Sequence, residues 1–341
     1  MKKLLYSLSM VLLLGLLYMP LPCRAAYFPG KVWRTVKSPE EAGWSSKKLR
    51  LVQRFADKMG SNGMVLYDGR ILCKWGDIRK RGYVRSVRKS LLSALYGIYV
   101  PERRINLNAT LMQLGIDDKE PKLTNQEKQA RIIDLLQACS GVYHPTAAEP
   151  DSMKKHRPAR GSHAPGTFWF YNNWDFNTLG VIFEKLTREK IGVAFKKRIA
   201  NPIGMQDFSA EDVRYAYVKE SVMPAYQFKL SARDMARFGL LYCQNGRWLG
   251  KQVIPSDWVA ESTTSHSNAG RGQGYGYLWW VAKTKLCGNK IDVPAYTASG
   301  VGGQRIAVVP SRKLVLVNLS KAGPDSSKLA DKLMKLVFDS N

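Results

Sequence analysis

A serine with a lysine three residues on, Ser86-Val87-Arg88-Lys89, opens a run in which Val87, Leu91, Leu95 and Ile98 recur at helical spacing as far as Pro101. Residues three apart share a helix face, so an amine stands beside a hydroxyl. A serine nucleophile has to lose its proton to a base within hydrogen-bond reach. A lysine can be that base only where burial or neighbouring positive charge lowers its pKa, and Arg85 and Arg88 supply such charge. The serine amide at a helix start is also free to donate to an oxyanion. The spacing recurs at Ser45-Lys48, which heads a surface helix, and at Ser152-Lys155, in a basic loop. Only the Ser86 copy heads a run apolar enough to be central.

Two further stretches carry chemistry. In Phe170-Tyr171-Asn172-Asn173, ahead of a helical run at 176–183, an extended backbone would aim Tyr171 and Asn173 at one site. Beside a lysine ammonium the phenol's pKa falls, so Tyr171 can accept the serine proton or pass one to a leaving group. Asn173 can donate to a substrate carbonyl. Read alone, the stretch is a core tyrosine with a capping asparagine. In Ser299-Gly300-Val301-Gly302-Gly303-Gln304, ahead of a strand at 305–309, Gly302 and Gly303 let a substrate approach the backbone, and the Gln304 amide can complete an oxyanion hole with that of Ser86. Read alone, it is a turn. Competing machinery is thin. There is no G-x-S-x-G elbow. His144, His156, His163 and His266 form no H-E-x-x-H, and the cysteines have no C-x-x-C, so no metal site is expected. His144 and His163 are candidates to line the cleft but read rather as loop or surface residues, and Trp169 and Trp174 as either an apolar substrate wall or core.

Ser-x-x-Lys, then Tyr-x-Asn, then a glycine-rich turn before a strand resembles the β-lactamase-related serine hydrolases. These include class C β-lactamases, D-Ala-D-Ala carboxypeptidases, β-lactamase-like carboxylesterases and 6-aminohexanoate-dimer hydrolases. Ser140-Gly141-Val142, Asn201-Pro202-Ile203-Gly204-Met205 and Ser231-Ala232-Arg233-Asp234 extend the resemblance over nearly the whole chain after residue 25. It implies an α/β (α+β) fold of the class C β-lactamase type: an antiparallel sheet flanked by helices, a mostly helical insert at about 102–230, and the site between them. The chemistry it implies is acyl transfer with no metal or organic cofactor. Ser86 attacks an ester or amide carbonyl, helped by Lys89 and Tyr171, and the amides of Ser86 and Gln304 hold the oxyanion. Many relatives carry Lys or His where Val301 aligns, a cation suited to a substrate carboxylate. Esters and uncharged amides are therefore expected to outrank penicillins and D-Ala-D-Ala peptides, with Arg305 or the basic residues of 153–160 as the places a replacement charge would come from. Class A enzymes are disfavoured, since S-D-N and K-T-G are absent. The alternative is a non-catalytic, penicillin-binding-like sensor or binding protein of the same fold, against which Ser86, Lys89 and Tyr171 argue.

The elements that must position these residues follow from periodicity. Residues 45–61 read as a helix, and Asp68-Gly69 between two β-prone runs as a hairpin. Residues 102–230 read as helices and loops, with 153–160 a long exposed loop. Ser231 caps a helix through Leu241, and Asn245-Gly246 is a turn. Strand-like runs at 275–281, 305–309 and 314–319 precede a closing helix at 326–338. The sheet is thus assembled from both ends of one catalytic unit, residues 26–341. Composition supports a globular chain: 341 residues, 45% hydrophobic and 23% charged, without repeats. Lys2, Lys3, the apolar stretch 4–17 and Cys23-Arg24-Ala25 read as an export signal cleaved after Ala25, leaving a periplasmic or secreted protein; the alternative is an uncleaved membrane anchor. That export leaves Cys73, Cys139, Cys243 and Cys287, which an oxidising compartment would permit to pair in any of three ways. Removing Lys2, Lys3 and Arg24 from the net charge of +26 leaves about +23. The expected partners are a small-molecule or peptide-like substrate and anionic surfaces or wall polymers. The basic residues are scattered rather than blocked, which argues against nucleic acid.

Overall fold

A computed structural model describes residues 27–321, 323 and 325–341. The export-signal segment, Cys23 included, lies outside the described residues. Among the described residues no helix is long and apolar enough to cross a membrane.

Helix α1 (Ser46–Lys58) leads into strands β1 (Asn62–Tyr67) and β2 (Arg70–Trp75). Asp68 and Gly69 both take positive φ, 48° and 77°, so the Asp-Gly turn closes as the sequence requires. The two-residue β3 (Gly82–Tyr83) precedes α2 (Val87–Tyr99), the helix headed by Ser86. The insert supplies α3 (Ile132–Leu136), α4 (Asp151–His156), α5 (Asn173–Thr187) and α6 (Ile191–Phe195). It ends, however, in a hairpin of β4 (Val213–Val218) and β5 (Ser221–Leu230), where only helices and loops were expected. Pro224 is accommodated in β5 because it falls where the β4–β5 register shifts, a position that tolerates a missing N–H. After α7 (Ala232–Cys243), capped by Ser231, and α8 (Ser256–Ser262) come β6 (Ser267–Gly270), β7 (Gln273–Tyr275), β8 (Trp280–Ala282), β9 (Tyr296–Gly300), β10 (Gln304–Val309) and β11 (Leu314–Leu319). Helix α9 (Ser326–Phe338) closes the chain.

The main sheet has eight antiparallel strands in the order β2-β1-β11-β10-β9-β8-β7-β6. The ends of the chain meet in it, Asn62 opposite Leu319 and Tyr67 opposite Leu314. Because β11 is covered on both faces, its run Leu314–Val317 is apolar: Leu314 and Leu316 pack with Trp44, Val52 and Leu333 beneath α1 and α9, while Val315 and Val317 join the core beneath α2 and α7. That second core also contains Ile132, Trp174 and Phe195, so the insert shares it. The run expected as one strand at 275–281 is instead the β7–β8 hairpin. Gly276 leaves no room for a Cβ, which would lie 2.2 Å from the Ser262 carbonyl, so the chain turns there against α8.

Helix α2 departs from the amphipathic pattern that its apolar spacing suggested. All thirteen of its residues are buried, Arg88, Lys89, Ser90 and Ser93 among them. It threads between β9, α5 and α8, and the polar side chains find internal partners. Arg88 donates to Asn177 Oδ1 at 2.8 Å and Ser90 to the Leu278 carbonyl at 2.7 Å.

Candidate active site

Ser86 stands at the start of α2 with helical backbone angles (φ −71°, ψ −8°), and its side chain makes no capping hydrogen bond. Its Oγ instead accepts from Lys89 Nζ at 3.1 Å, and the same Nζ donates to Tyr171 Oη at 2.6 Å. Tyr171 arrives from the residue before the α5 cap, where Asn172 Oδ1 accepts from the Trp174 amide. The rings of Tyr171 and Phe176 lie 4.0 and 4.1 Å from Nζ, so aromatic faces take the place of water.

Burial holds the Lys89 ammonium pKa well below the usual lysine range, and the neighbouring Arg88 charge adds to the effect. Arg88 is itself buried among neutral groups: besides Asn177 it lies 4.3 Å over the Tyr226 ring, and Nη1 has no partner. Arg85, the other cation expected to act on Lys89, is exposed and turned toward the Tyr83 ring. Burial pushes the Tyr171 phenol up to about 12, with the Ser86 hydrogen bond and the charges of Arg88 and Arg305 only partly offsetting it. This reverses the expectation that an ammonium would lower the phenol. The amine is itself stripped of water and favours its neutral form, which leaves burial to decide the phenol.

A cavity of about 510 Å³ opens onto this cluster. Ser86, Tyr171 and Asn173 line it, with Phe170, Met153 and Trp280 as apolar wall and Ser299, Gly300 and Val301 along the β9 side. Tyr171 and Asn173 therefore do reach one site, though not from an extended segment: Asn173 is the first residue of α5. Its Nδ2 is engaged by the Ala148 carbonyl at 2.6 Å, and the atom left without a partner is Oδ1, an acceptor. This alters the donor role expected of it.

Gln304, Gly302 and Gly303 do not line the cavity. Gln304 pairs with Gly300 across the β9–β10 ladder, and its side chain is engaged with the Ser320 backbone, donating to the carbonyl at 2.9 Å and accepting from the amide at 2.9 Å. Gly303 is small for another reason: a Cβ there would meet the Ser326 carbonyl at 2.6 Å, so it lets α9 approach. The close approach at the cleft belongs to Gly300, where a Cβ would lie 2.6 Å from the Val84 carbonyl and 3.0 Å from the Ser86 amide.

Arg305 also lines the cavity, but its charge is already matched. Nη2 pairs with Asp331 Oδ1 at 2.9 Å, and Nη1 donates to the Gly300 carbonyl at 3.2 Å, bracing the end of β9. An arginine at the head of an apolar strand was the available signal. The segment 153–160, expected as a long exposed loop, is helical as far as His156 and without regular structure beyond it, and its exposed Lys154 and Lys155 do not line the cavity. Met153 is buried, Arg157 pairs with Glu149, and Arg160 donates to Glu127 at 2.8 and 3.0 Å. Trp174 is core, its Nε1 bound to Asp118 at 2.7 Å, while Trp169 packs edge-on against Trp280. His144 lies in a loop, as expected, but is buried, its ring 6.5 Å from that of Trp174, and His163 stacks on Phe168; the histidine at the cavity is His156. Cys73, Cys139, Cys243 and Cys287 are free thiols, and burial pushes those of Cys73 and Cys243 to about 12 and that of Cys139 to about 11. Among the described residues no cluster of His, Cys, Asp and Glu could hold a metal.

The Beta-lactamase family model matches residues 53–337. The fold is similar to that of an octameric penicillin-binding protein homologue from Pyrococcus abyssi (TM-score 0.64, 18% identity, 87% of this chain and 78% of that one). It is also similar to a D-stereospecific amidohydrolase from Streptomyces sp. (0.62, 17%, 87% and 99%) and to EstCE1, a hydrolase with promiscuous acyltransferase activity (0.63, 14%, 86% and 98%). No curated protein sequence matches the chain.

Proposed function

The chain belongs to the beta-lactamase family; from that premise we propose that it is a serine hydrolase that turns over uncharged esters or amides through an acyl-enzyme on Ser86. The observation that carries this is the buried Ser86–Lys89–Tyr171 cluster at the floor of the cavity. With Lys89 neutral, the 3.1 Å contact can run in the other direction, the hydroxyl donating to the amine's lone pair. As Oγ bonds to the substrate carbonyl carbon, its proton passes to Nζ and the carbonyl oxygen becomes an oxyanion. The Ser86 amide and the amide of Val301, the first residue beyond the β9 ladder, are the donors assigned to that oxyanion. Collapse breaks the bond to the leaving group, which takes the proton from Lys89 through the Tyr171 hydroxyl. Water then attacks the acyl carbon, with Lys89 again accepting a proton, and Ser86 is released.

Substrate charge is read from Val301 and Arg305. Val301 offers no cation, and Arg305 is matched by Asp331. The apolar wall of Phe170, Met153 and Trp280 suits an uncharged acyl group. Names among the similar structures include an amidohydrolase, in keeping with this range. We also infer export, on the pattern of residues 1–25, to be checked by sequencing the N-terminus of the protein recovered outside the cytoplasm.

The test compares kcat/KM for short-chain esters, linear amides, D-amino-acid peptides and a chromogenic cephalosporin, with the Ser86 adduct located by fluorophosphonate labelling and mass spectrometry. Esters or uncharged amides should lead, and Val301→Lys should gain selectively on carboxylate-bearing substrates, less so at high salt. An efficient cephalosporinase unaffected at Val301 would overturn the substrate reading. Labelling of Ser86 without turnover of any substrate would favour the sensor alternative.

A further inference from the structure

Helices α1 and α9 lie side by side over the outer face of the sheet. Helix α1 turns Leu49, Val52 and Ala56 inward, so its period places Lys47, Arg50, Leu51, Arg54 and Lys58 outward, and all five are exposed. Helix α9 buries Ala330, Leu333, Met334 and Val337 and turns out Lys328, Lys332 and Lys335. The stripes form one face: Lys332 Nζ lies 5.3 Å over the Phe55 ring, and Lys48 Nζ donates to the Asp339 carbonyl at 2.6 Å.

Lys328 and Lys335 pair with Asp325 and Asp339. Lys47, Arg50, Arg54, Lys58 and Lys332 make no ion pair among the described residues. Like charges four apart on a helix repel, as at Arg50/Arg54, Arg54/Lys58 and Lys328/Lys332. Glu40 senses the Arg50 charge and Asp57 is exposed on the same helix, yet neither forms an ion pair with these cations, so an external array of anions would lower the repulsion. Among the cations stand two leucines, Leu51 at 44% and Leu329 at 36% exposure. A soluble polyanion has no use for them. An anionic bilayer does, because an apolar layer begins just below its charged headgroups.

We propose that the α1–α9 face docks the protein on an anionic lipid surface, its cations among the headgroups and Leu51 and Leu329 in the interface. Ser327, on the first turn of α9, lines the Ser86 cavity, so docking holds the cleft beside the membrane. The inference rests on residues outside the cleft and stands apart from the substrate reading.

Cosedimentation of the full chain with phosphatidylcholine vesicles, with and without phosphatidylglycerol, tests it. Binding should favour the anionic vesicles and weaken with salt. Arg50→Glu with Arg54→Glu and Lys332→Glu should lower that affinity by roughly a hundredfold or more, at about fivefold for each cation near the surface. Arg103→Glu with Arg214→Glu and Lys251→Glu, exposed on other elements, changes net charge equally and should change affinity little. Leu51→Gln with Leu329→Gln should weaken vesicle binding but leave binding to dextran sulfate unchanged. None of these residues touches the cleft, so ester turnover, which reports folding, should match the wild type. Equal losses in the two charge-reversal variants would assign the effect to diffuse charge and overturn the face. Leucine variants that bind vesicles as the wild type does would overturn the lipid assignment.

Discussion

Helices α1 and α2 both start behind a serine and carry a lysine three residues later, yet they put the pair to different use. Ser45 has an extended backbone (φ −84°, ψ 112°), and its Oγ accepts from the Lys48 amide at 3.3 Å as a helix cap. The Lys48 side chain lies in water and reaches the Asp339 carbonyl. Ser86 is already helical and caps nothing, which leaves its hydroxyl to Lys89 Nζ inside a helix buried on every side. The spacing is shared; the backbone angle of one residue and the burial of the helix are not. A cap spends the hydroxyl on the backbone, and solvent removes any pressure on the amine to shed its proton.

The comparison breaks first at the serines. Ser86→Ala should abolish covalent labelling and turnover with the fold intact by circular dichroism, whereas Ser45→Ala should leave kcat/KM unchanged. An adduct mapped to Ser45 would reverse the assignment.

At the lysines the effects should be smaller but still large. Lys89→Ala and Tyr171→Phe should each slow acylation by roughly a hundredfold or more, the scale of a lost general base. The double variant should be little worse than the slower single one, because both side chains serve a single proton path. Losses that multiply, in stopped-flow acylation rates, would mean two independent roles. Lys48→Ala should leave the rate alone.

A finer test is the pH profile. The proposed mechanism uses neutral Lys89, whose pKa is lowered by burial and then by Arg88, so turnover should fall as pH drops through that lowered value. Arg88→Gln removes the second cause and should move the acid limb to higher pH, while Arg88→Lys should restore it. An acid limb unmoved in Arg88→Gln would leave burial as the sole cause. Stability should carry the same signature. Unfolded Lys89 is protonated below about 10.4 and the folded side chain is neutral over the window down to its lowered pKa. Folding therefore releases a proton, and this lysine's cost to stability shrinks as pH rises. Lys89→Met should raise the melting temperature, most at the low end of that window, while turnover is lost.

The smallest effect belongs to the cap. Ser45→Ala should cost about 1 kcal/mol of stability, read from the denaturant midpoint; Ser86→Ala, which removes no cap, should not show this loss.

What the sequence determined by itself is what depends on near neighbours. Asp68-Gly69 demands positive φ and closes a hairpin, the apolar period of α1, α7 and α9 selects their inward faces, and the apolar runs Ile306–Val309 of β10 and Leu314–Val317 of β11 require cover on both sides. The order of Ser86-Lys89, Tyr171 and the glycine turn was legible for the same reason. Tertiary structure alone decided which groups lost water and which hydrogen bonds were already taken. Partners distant in sequence enclose α2, and that burial lowers the Lys89 ammonium pKa and raises that of the Tyr171 phenol. The Ala148 carbonyl occupies the Asn173 amide, Ser320 occupies Gln304, and the carbonyl of Val84 makes Gly300, not Gly303, the glycine that the cleft requires. Desolvation and the allocation of donors to acceptors are sums over everything that packs around a group, and no local spacing contains them.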